Sequence, residues 1–324
     1  MVEKDGNRAV VSKQAIRAGE VICRVPASAA WLVSFDEPPA VPDSFVSQTF
    51  WNSVDVQEKE KWWFVKLAVR LLYERSLGDQ SNWAPYVSMM PSHVETLVHF
   101  SEEELEELQN SRLKRQVLGE QAWLRESYDR LHLALSCADS VSFQDWRWAL
   151  DCVRSRTFKV QDDFCMCPLM DLFNHASAAR TSAMTFDATL GCYQLLAGVG
   201  AQEGEEIAIS YGALDNDKLL AFYGFVEVDN PWDSVILTQE RVIALMQQLG
   251  GDDWMEQRTE VLRQLVRFKY LNPKAGLQVM AGATPLARGT LSVEFSMVLL
   301  ALTAPASLLL DEGAAALALK IGVS

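Results

Sequence analysis

The chain has 324 residues, 49% of them apolar and ten of them Trp, which is core material for one large or two smaller packed domains and too much for a disordered chain. Its 29 Lys+Arg against 43 Asp+Glu leave a formal charge of −14 and no basic stripe, a balance that argues against nucleic-acid binding through phosphates and suits a basic protein partner. No apolar run reaches bilayer length, so no membrane association is expected, and the six Cys (23, 137, 152, 165, 167 and 192) are scattered without zinc spacing, which fits a reducing compartment and no metal.

In chain order, residues 6–26 read as two short strands joined by a turn at Ala18-Gly19. Val10-Val11 and Val21-Ile22 supply the β-branched content, and Pro26 ends the second strand. Residues 27–44, rich in Pro, Ala and Ser, read as a connection. From about Phe45 the period becomes helical, with Trp62, Val65, Leu67, Ala68, Leu71 and Leu72 on one face. Ser101 followed by Glu104 is a capping box that opens a helix through Leu105 and Leu108, and a long amphipathic pattern runs from Leu113 to Leu135. The acidic run Glu102–Glu107 reads as a solvated face.

After Val160 the period changes again. Thr185–Asp187 and Cys192–Leu196 read as a hairpin turning near Gly191, and Glu205–Tyr211 as a further strand. Asp215 opens a short helix, Asp217–Tyr223, that stops at Gly224. Beyond Pro231 the pattern is helical, clearest at Arg241–Leu249 and Trp254–Phe268, and the chain ends in the Ala/Leu-rich stretch LLLDEGAAALALKIGVS. The expected organisation is β over residues 1–44, a helical insertion over 45–160, β again over 161–238, and a helical domain over 239–324.

The chemistry-bearing residues fall in the third of these parts. Taken singly, Asn174-His175 reads as a turn with a core histidine, and Tyr211 and Tyr223 as core aromatics. In order along the chain they read differently. Asn174-His175 in DLFNH, Tyr211 in ISYG and the trailing Tyr223-Gly224-Phe225 resemble the core motifs of SET-domain protein methyltransferases. Trp83-Ala84-Pro85-Tyr86 followed by Met90-Pro91, the helix opening FSEEELEELQNS, and Ser155-Arg156-Thr157-Phe158 are similar to one subgroup. Its SET domain is split by a helical insertion, and it holds both the Rubisco large-subunit lysine methyltransferases and the actin-histidine methyltransferases. The resemblance runs from about residue 6 to residue 238.

The resemblance implies an α+β fold, with a knot-like core of short strands interrupted by a helical insertion and followed by a helical C-terminal domain that helps hold a protein substrate. It implies S-adenosylmethionine as methyl donor, leaving S-adenosylhomocysteine, with the acceptor side chain entering from the opposite face. By position, Gly6, Asn7 and Arg8 line the cofactor through backbone groups, Arg156 and Asp171 belong to the shared cofactor and substrate site, and Asn174 and His175 hold the adenine end. Tyr211 is the catalytic tyrosine, Tyr223 and Phe225 complete the cofactor and channel walls, and Phe186 stands where relatives place another channel aromatic. The implied acceptor is a lysine of a non-histone protein. Histidine is the alternative acceptor, and a non-catalytic protein-binding module on the same fold is the alternative class. A monomer in the cytoplasm or nucleus is expected, or in a plastid if a transit peptide has been removed.

One departure stands out. The family has Gly-x-Gly in its first strand pair where this chain has Asn7-Arg8-Ala9; a β-carbon at Ala9 would crowd the cofactor or meet a positive φ that glycine permits, unless the local conformation there accepts alanine. The residue types otherwise suit methyl transfer. A sulfonium donor is already activated, so the protein has to align two reactants and exclude water. A lysine ammonium has no lone pair, and an apolar aromatic channel favours its neutral, nucleophilic form. No Gly-rich strand-to-helix loop supports a Rossmann-type methyltransferase instead.

Overall fold

The computed structural model describes residues 2–4, 7–35, 41–57, 61–136, 140–177, 184–237, 248, 277–281 and 288–291. The chain divides into two compact units, Met1–Ala213 with Asp217–Glu227, and Leu214–Asn216 with Val228–Ser324. The first unit opens with four short strands, β1 (Val2–Lys4), β2 (Asn7–Ala9), β3 (Val21–Pro26) and β4 (Trp31–Val33). Six helices follow, α1 (Gln48–Gln57), α2 (Trp62–Ser76), α3 (Ala84–Val87), α4 (Glu102–Glu107), α5 (Ser111–Ala134) and α6 (Phe143–Arg156). Then come β5 (Thr157–Val160), β6 (Asp163–Met166), β7 (Thr185–Asp187), β8 (Cys192–Leu196) and α7 (Asn216–Tyr223).

The helices form where the sequence places their apolar stripes and caps. The capping box is present at α4, with Ser101 Oγ accepting from the Glu104 amide and the Glu104 carboxylate accepting from the Ser101 amide. A second box, Ser142 with Asp145, opens α6. Helix α2 is apolar on more than one face because it is buried among α1, α6 and β4, and Leu67, Ala68, Val69 and Leu71 are all fully buried. Leu131 of α5 and Trp146 and Leu150 of α6 close the same core, where the Trp146 indole N–H donates to Ser127 Oγ at 3.0 Å. Each fully buried aliphatic side chain there contributes about 1.5–3 kcal/mol of transfer free energy.

Two pairings cross the helical insertion, β3 with β8 and β4 with β6, while β1–β2, β5–β6 and β7–β8 pair as neighbours in sequence. The order β4-β6-β5 makes one antiparallel sheet and β3-β8-β7 another. The expected turn at Gly19 is real, with φ +83°, and Pro26 does end β3. The two segments it joins do not pair with each other, however. Residues 12–19 run along 197–205 through Ser12 N–H to Glu205 O (2.9 Å), Ile16 N–H to Ala201 O (2.8 Å) and Gly19 N–H to Ala197 O (2.7 Å). The partner ribbon supplies an apolar face that an isolated hairpin lacks. Gly200 is required by this close approach, since a β-carbon there would lie 2.8 Å from the Ile16 carbonyl.

Three further expectations are corrected. The connection 27–44 contains β4, because Trp31 and Val33 alternate inward onto the helical core with Leu32 outward. Glu205–Tyr211 is not a continuous strand; it makes single bridges, Glu206 with Val11 and Ile209 with His175. The described strands of the second unit, β9 (Ser234–Leu237), β10 (Leu277–Ala281) and β11 (Arg288–Leu291), form an antiparallel sheet of order β11-β10-β9 in a part read as helical. The segments 241–249 and 254–268 read as helices lie outside the described residues, apart from residue 248, which is helical. No helix among the described residues is long and apolar enough to cross a membrane.

Helix α7 ends at Gly224, as its sequence predicts. The glycine has φ +78° and its amide donates to Leu220 O at 3.2 Å. A β-carbon there would lie 1.8 Å from the Glu95 carbonyl oxygen, so the glycine also lets this turn pack against the insertion. Gly224→Ala is expected to destabilise the fold by roughly 2–4 kcal/mol, from backbone strain and a clash with main chain. A lowered urea midpoint at unchanged slope checks this.

Candidate active site

Two short segments are laid side by side to make the site. Ile209 N–H donates to Asn174 O at 2.8 Å and Ala176 N–H to Ile209 O at 3.0 Å, a parallel bridge centred on His175. In this register the N–H and C=O of His175 itself point away from Ile209. The side chains of the pair are turned to structural work. Asn174 Nδ2 donates to Arg8 O (2.9 Å) and to Glu206 Oε1 (2.8 Å), tying strand β2 to the core. His175 Nδ1 accepts from the Tyr211 amide at 3.0 Å, and Nε2 lies 3.2 Å from Ser177 Oγ and 3.6 Å from Glu227 Oε2.

That arrangement fixes the histidine's state. With Nδ1 accepting an amide hydrogen, the ring is neutral and carries its proton on Nε2. Burial lowers its pKa below the ordinary imidazole value, against a smaller upward pull from the Glu227 carboxylate.

The ring of Tyr211 lies 5.0 Å from that of His175 and 4.9 Å from that of Tyr223, and Phe225 lies 6.0 Å from His175. The Tyr211 hydroxyl donates to Phe173 O at 2.8 Å. Burial, reinforced by the neighbouring Tyr223, pushes the Tyr211 phenol well above its ordinary value, and burial raises Tyr223 as well. Tyr211 is therefore protonated at any physiological pH, with its hydrogen spent on a carbonyl and its oxygen lone pairs free.

Beneath the aromatics sits a buried acid. Asp171 lies in a turn of 3-10 helix, Met170–Leu172, entered through Leu169, whose φ of +72° is strained for a leucine. The Asp171 side chain is 1% exposed; Arg156 Nη1 donates to its main-chain carbonyl at 2.8 Å and stands 3.7 Å from Oδ2. Burial pushes the carboxyl up, while the Arg156 guanidinium and a hydrogen bond from Tyr86 pull it down. Asp171 Oδ1 and Arg156 Nε are buried without a hydrogen-bond partner.

Two cavities meet at these residues. One, of about 520 Å³, is lined by Arg8, Pro91, His93, Val94, Leu172, Asn174, His175, Gly224 and Phe225 as well as the shared wall. The other, of about 210 Å³, is lined by Thr157, Phe158, Met184, Leu195, Ile209, Ser210 and Gly212, among others. Ser155, Arg156, Asp171, Phe173, Tyr211 and Tyr223 belong to both and form the partition between them.

The structure thus brings Arg8, Arg156, Asp171, Asn174, His175, Tyr211, Tyr223 and Phe225 together. It does not bring Phe186 to the site. That ring, 47% exposed on β7, packs on Tyr193 at 5.2 Å and lines neither cavity. Gly6 lies outside the described residues, and Asn7 is described as main chain paired with Lys4 in β1. Ala9 does not crowd either cavity. It is 2% exposed in extended strand, paired with Val2, where an L-residue is at ease and glycine is not needed.

Sequence reasoning missed Tyr86, Glu206 and Glu227. Tyr86 stood inside the quoted phrase Trp83-Ala84-Pro85-Tyr86 but had no role, since its partner is 85 residues away; its hydroxyl donates to Asp171 Oδ2 at 2.8 Å. Away from the site, His99 Nε2 lies 2.6 Å from Asp151 Oδ2 inside the insertion.

A split β core wrapped round two cavities that share a tyrosine partition is the SET-domain fold. The structure superposes on the SET domain of LSMT bound to lysine and AdoHcy with a TM-score of 0.61 at 20% identity, over 85% of this chain and 61% of that one. The curated proteins give three similar relatives. The actin-histidine N-methyltransferase of Danio rerio is 29% identical over 187 residues, covering 53% of this chain and 31% of that protein. The chloroplastic ribulose-1,5 bisphosphate carboxylase/oxygenase large subunit N-methyltransferase of Pisum sativum is 26% identical over 248 residues, 71% of this chain and 48% of that protein. The chloroplastic fructose-bisphosphate aldolase-lysine N-methyltransferase of Arabidopsis thaliana is 27% identical over 193 residues, 55% of this chain and 40% of that protein. The chain therefore spans about a third to a half of the length of these relatives. No protein-family model matches it.

The histidine's state gives a pH dependence. Because its folded pKa is depressed, the unfolded chain takes up the proton first. The contribution of His175 is therefore full above the ordinary imidazole range and is lost as pH falls through it. Urea unfolding of the wild type is expected to weaken as pH falls through this range. His175→Gln should show a lower stability throughout and a flatter dependence over the same interval.

Proposed function

We propose that the chain is an S-adenosylmethionine-dependent protein N-methyltransferase acting on a lysine side chain. The observation that carries the reading is the pair of cavities meeting at Tyr211, Tyr223, Arg156, Asp171 and Phe173, one mouth for a donor and one for an acceptor. The residues present fit the donor. An unpartnered guanidinium nitrogen on Arg156 and an unpartnered carboxylate oxygen on Asp171 suit the carboxylate and ammonium of an amino-acid end. The N–H and C=O of His175, turned away from Ile209, suit the acceptor and donor edge of an adenine, and Tyr211, Tyr223 and Phe225 give it an aromatic wall. When bound, the cofactor supplies an electrophilic methyl group on a sulfonium.

The chain's own residues then have three tasks. The partition holds donor and acceptor in line, which turns a bimolecular step into a positioned one. The aromatic lining excludes water and favours a neutral amine over an ammonium. Tyr211 cannot serve as the base, since its phenol stays protonated. Its oxygen, held by the bond to Phe173 O, is an acceptor that orients the amine and takes weak C–H···O contacts from the methyl group in flight. The proton leaves the amine before attack, to solvent through the acceptor mouth.

The similarity to a chloroplastic aldolase-lysine N-methyltransferase supports lysine as the acceptor, and the similarity to actin-histidine methyltransferases favours histidine as the second reading. The substrate is a protein, to which residues 239–324 would dock; the −14 formal charge suits a basic one. A soluble compartment, cytoplasm, nucleus or plastid, belongs to the same proposal.

The test is transfer of a radiolabelled methyl group into whole-cell extract, with mass spectrometry of the labelled band. Label on lysine is expected; label on histidine replaces the first acceptor with the second, and no label together with no cofactor binding removes the enzymatic reading. Tyr211→Phe is expected to bind the cofactor with unchanged affinity by calorimetry while transfer slows about 100-fold or more. A near-normal rate takes Tyr211 out of the reaction.

A further inference from the structure

We propose that Tyr86, supplied by the helical insertion, is a positioning residue that grips one oxygen of Asp171 so that the other, Oδ1, is presented as the acceptor for an alkylammonium group at the junction of the two cavities. The inference rests on the methyltransferase reading and deepens it, by assigning a part in ligand recognition to a residue outside the SET motifs.

The geometry is specific. Tyr86 is 6% exposed and its hydroxyl donates to Asp171 Oδ2 at 2.8 Å. Its ring is fixed edge-on against Trp31 at 5.6 Å and against Trp83 at 6.4 Å, so the hydroxyl is aimed by packing rather than by chance. Pro85, at the start of α3, sets the entry of that short helix. On the other side, the Arg156 guanidinium is committed to the Asp171 main-chain carbonyl and reaches Oδ2 only at 3.7 Å. Both nearby cation and phenol therefore act on Oδ2, while Oδ1 is buried with no partner.

A buried carboxylate oxygen left unpaired is costly, and its retention in a residue that lines both cavities points to a donor that arrives with a ligand. The donor best matched to an anionic oxygen is a cationic N–H. Two sources offer one here: the amino-acid end of the cofactor, and the acceptor lysine as it enters, before it gives up its proton to become the nucleophile. The phenol hydrogen bond also favours the ionised form of Asp171 against its burial, which an ammonium partner requires.

The test compares two adenosine ligands by calorimetry: AdoHcy, which carries the amino-acid end, and 5′-methylthioadenosine, which lacks it. The protein is the full chain as wild type, Tyr86→Phe and Asp171→Asn, each first shown to unfold cooperatively in urea. If the ammonium is the cofactor's, both variants are expected to bind AdoHcy about tenfold or more weakly, with methylthioadenosine affinity unchanged. If it is the acceptor's, AdoHcy affinity holds in both variants and KM for the labelled protein substrate rises about tenfold with little change in kcat. Both results support the assignment and distinguish its source. Equal weakening of both adenosine ligands overturns it, since a general loosening of the pocket would do that, and so does a variant indistinguishable from wild type in every measurement. Wild-type protein that binds neither ligand removes the function proposed above, and this inference with it.

Discussion

The site depends on one alignment: the main chain of residues 174–176 laid parallel to Ile209. Two hydrogen bonds hold it, and a third, from the Tyr211 amide to His175 Nδ1, locks Tyr211 into place two residues on. An isolated parallel bridge has little intrinsic stability, so its persistence comes from what surrounds it. Ile209 and Phe173 are buried in the core shared with Met170, Leu195 and Ile207, and the Asn174 side chain reaches across to Arg8 O and Glu206. The consequence is that the side chains of Asn174 and His175 are used to build the cleft, and the main-chain N–H and C=O of His175 are the groups the bridge leaves turned away from Ile209.

Electrostatics in the partition follow from its dryness. Burial drives each group toward its uncharged form. The imidazole of His175 is held neutral, and the phenols of Tyr211, Tyr223 and Tyr86 are held protonated. The Asp171 carboxyl is raised by burial as well, against the opposing pull of a guanidinium and a phenol on the same oxygen. A partition with neutral aromatics on its walls and one anchored carboxylate at its base can admit a cationic ligand end and still keep an acceptor amine dry.

The helical insertion is more than a spacer between the halves of the β core. It delivers Tyr86 beneath the partition, Pro91, His93 and Val94 to the wall of the larger cavity, and the Glu95 carbonyl against which Gly224 packs. Within the first unit, Asp217 at the start of α7 is held by Asn110 and Arg112 of the insertion, and Leu220 and Ala221 pack on Leu105 and Leu113. The segment carrying Tyr223 and Phe225 is thereby set by the insertion as much as by the β core.

Much of this was legible in the sequence, and the reason is that it is local. Caps at Ser101, the stop at Gly224, the turns at Gly19 and Gly191 and the amphipathic run of α5 each depend on residues within a few positions of one another. The motif around Asn174-His175, with Tyr211 and Tyr223, marked the site because its residue types and order are themselves the signal. Strand partners were another matter. Residues 12–19 could pair with their neighbours across Gly19 or with 197–205, and β-propensity is the same either way; burial against a distant ribbon made the choice. The places of Phe186 and Ala9 were undecided in the sequence for the same reason, since whether a ring reaches a cavity, or a β-carbon crowds one, depends on neighbours supplied from elsewhere. The meeting of Tyr86 with Asp171 is the clearest case. The sequence determined that both residue types were present, but only long-range packing of the insertion against the core could bring hydroxyl and carboxylate within hydrogen-bonding distance.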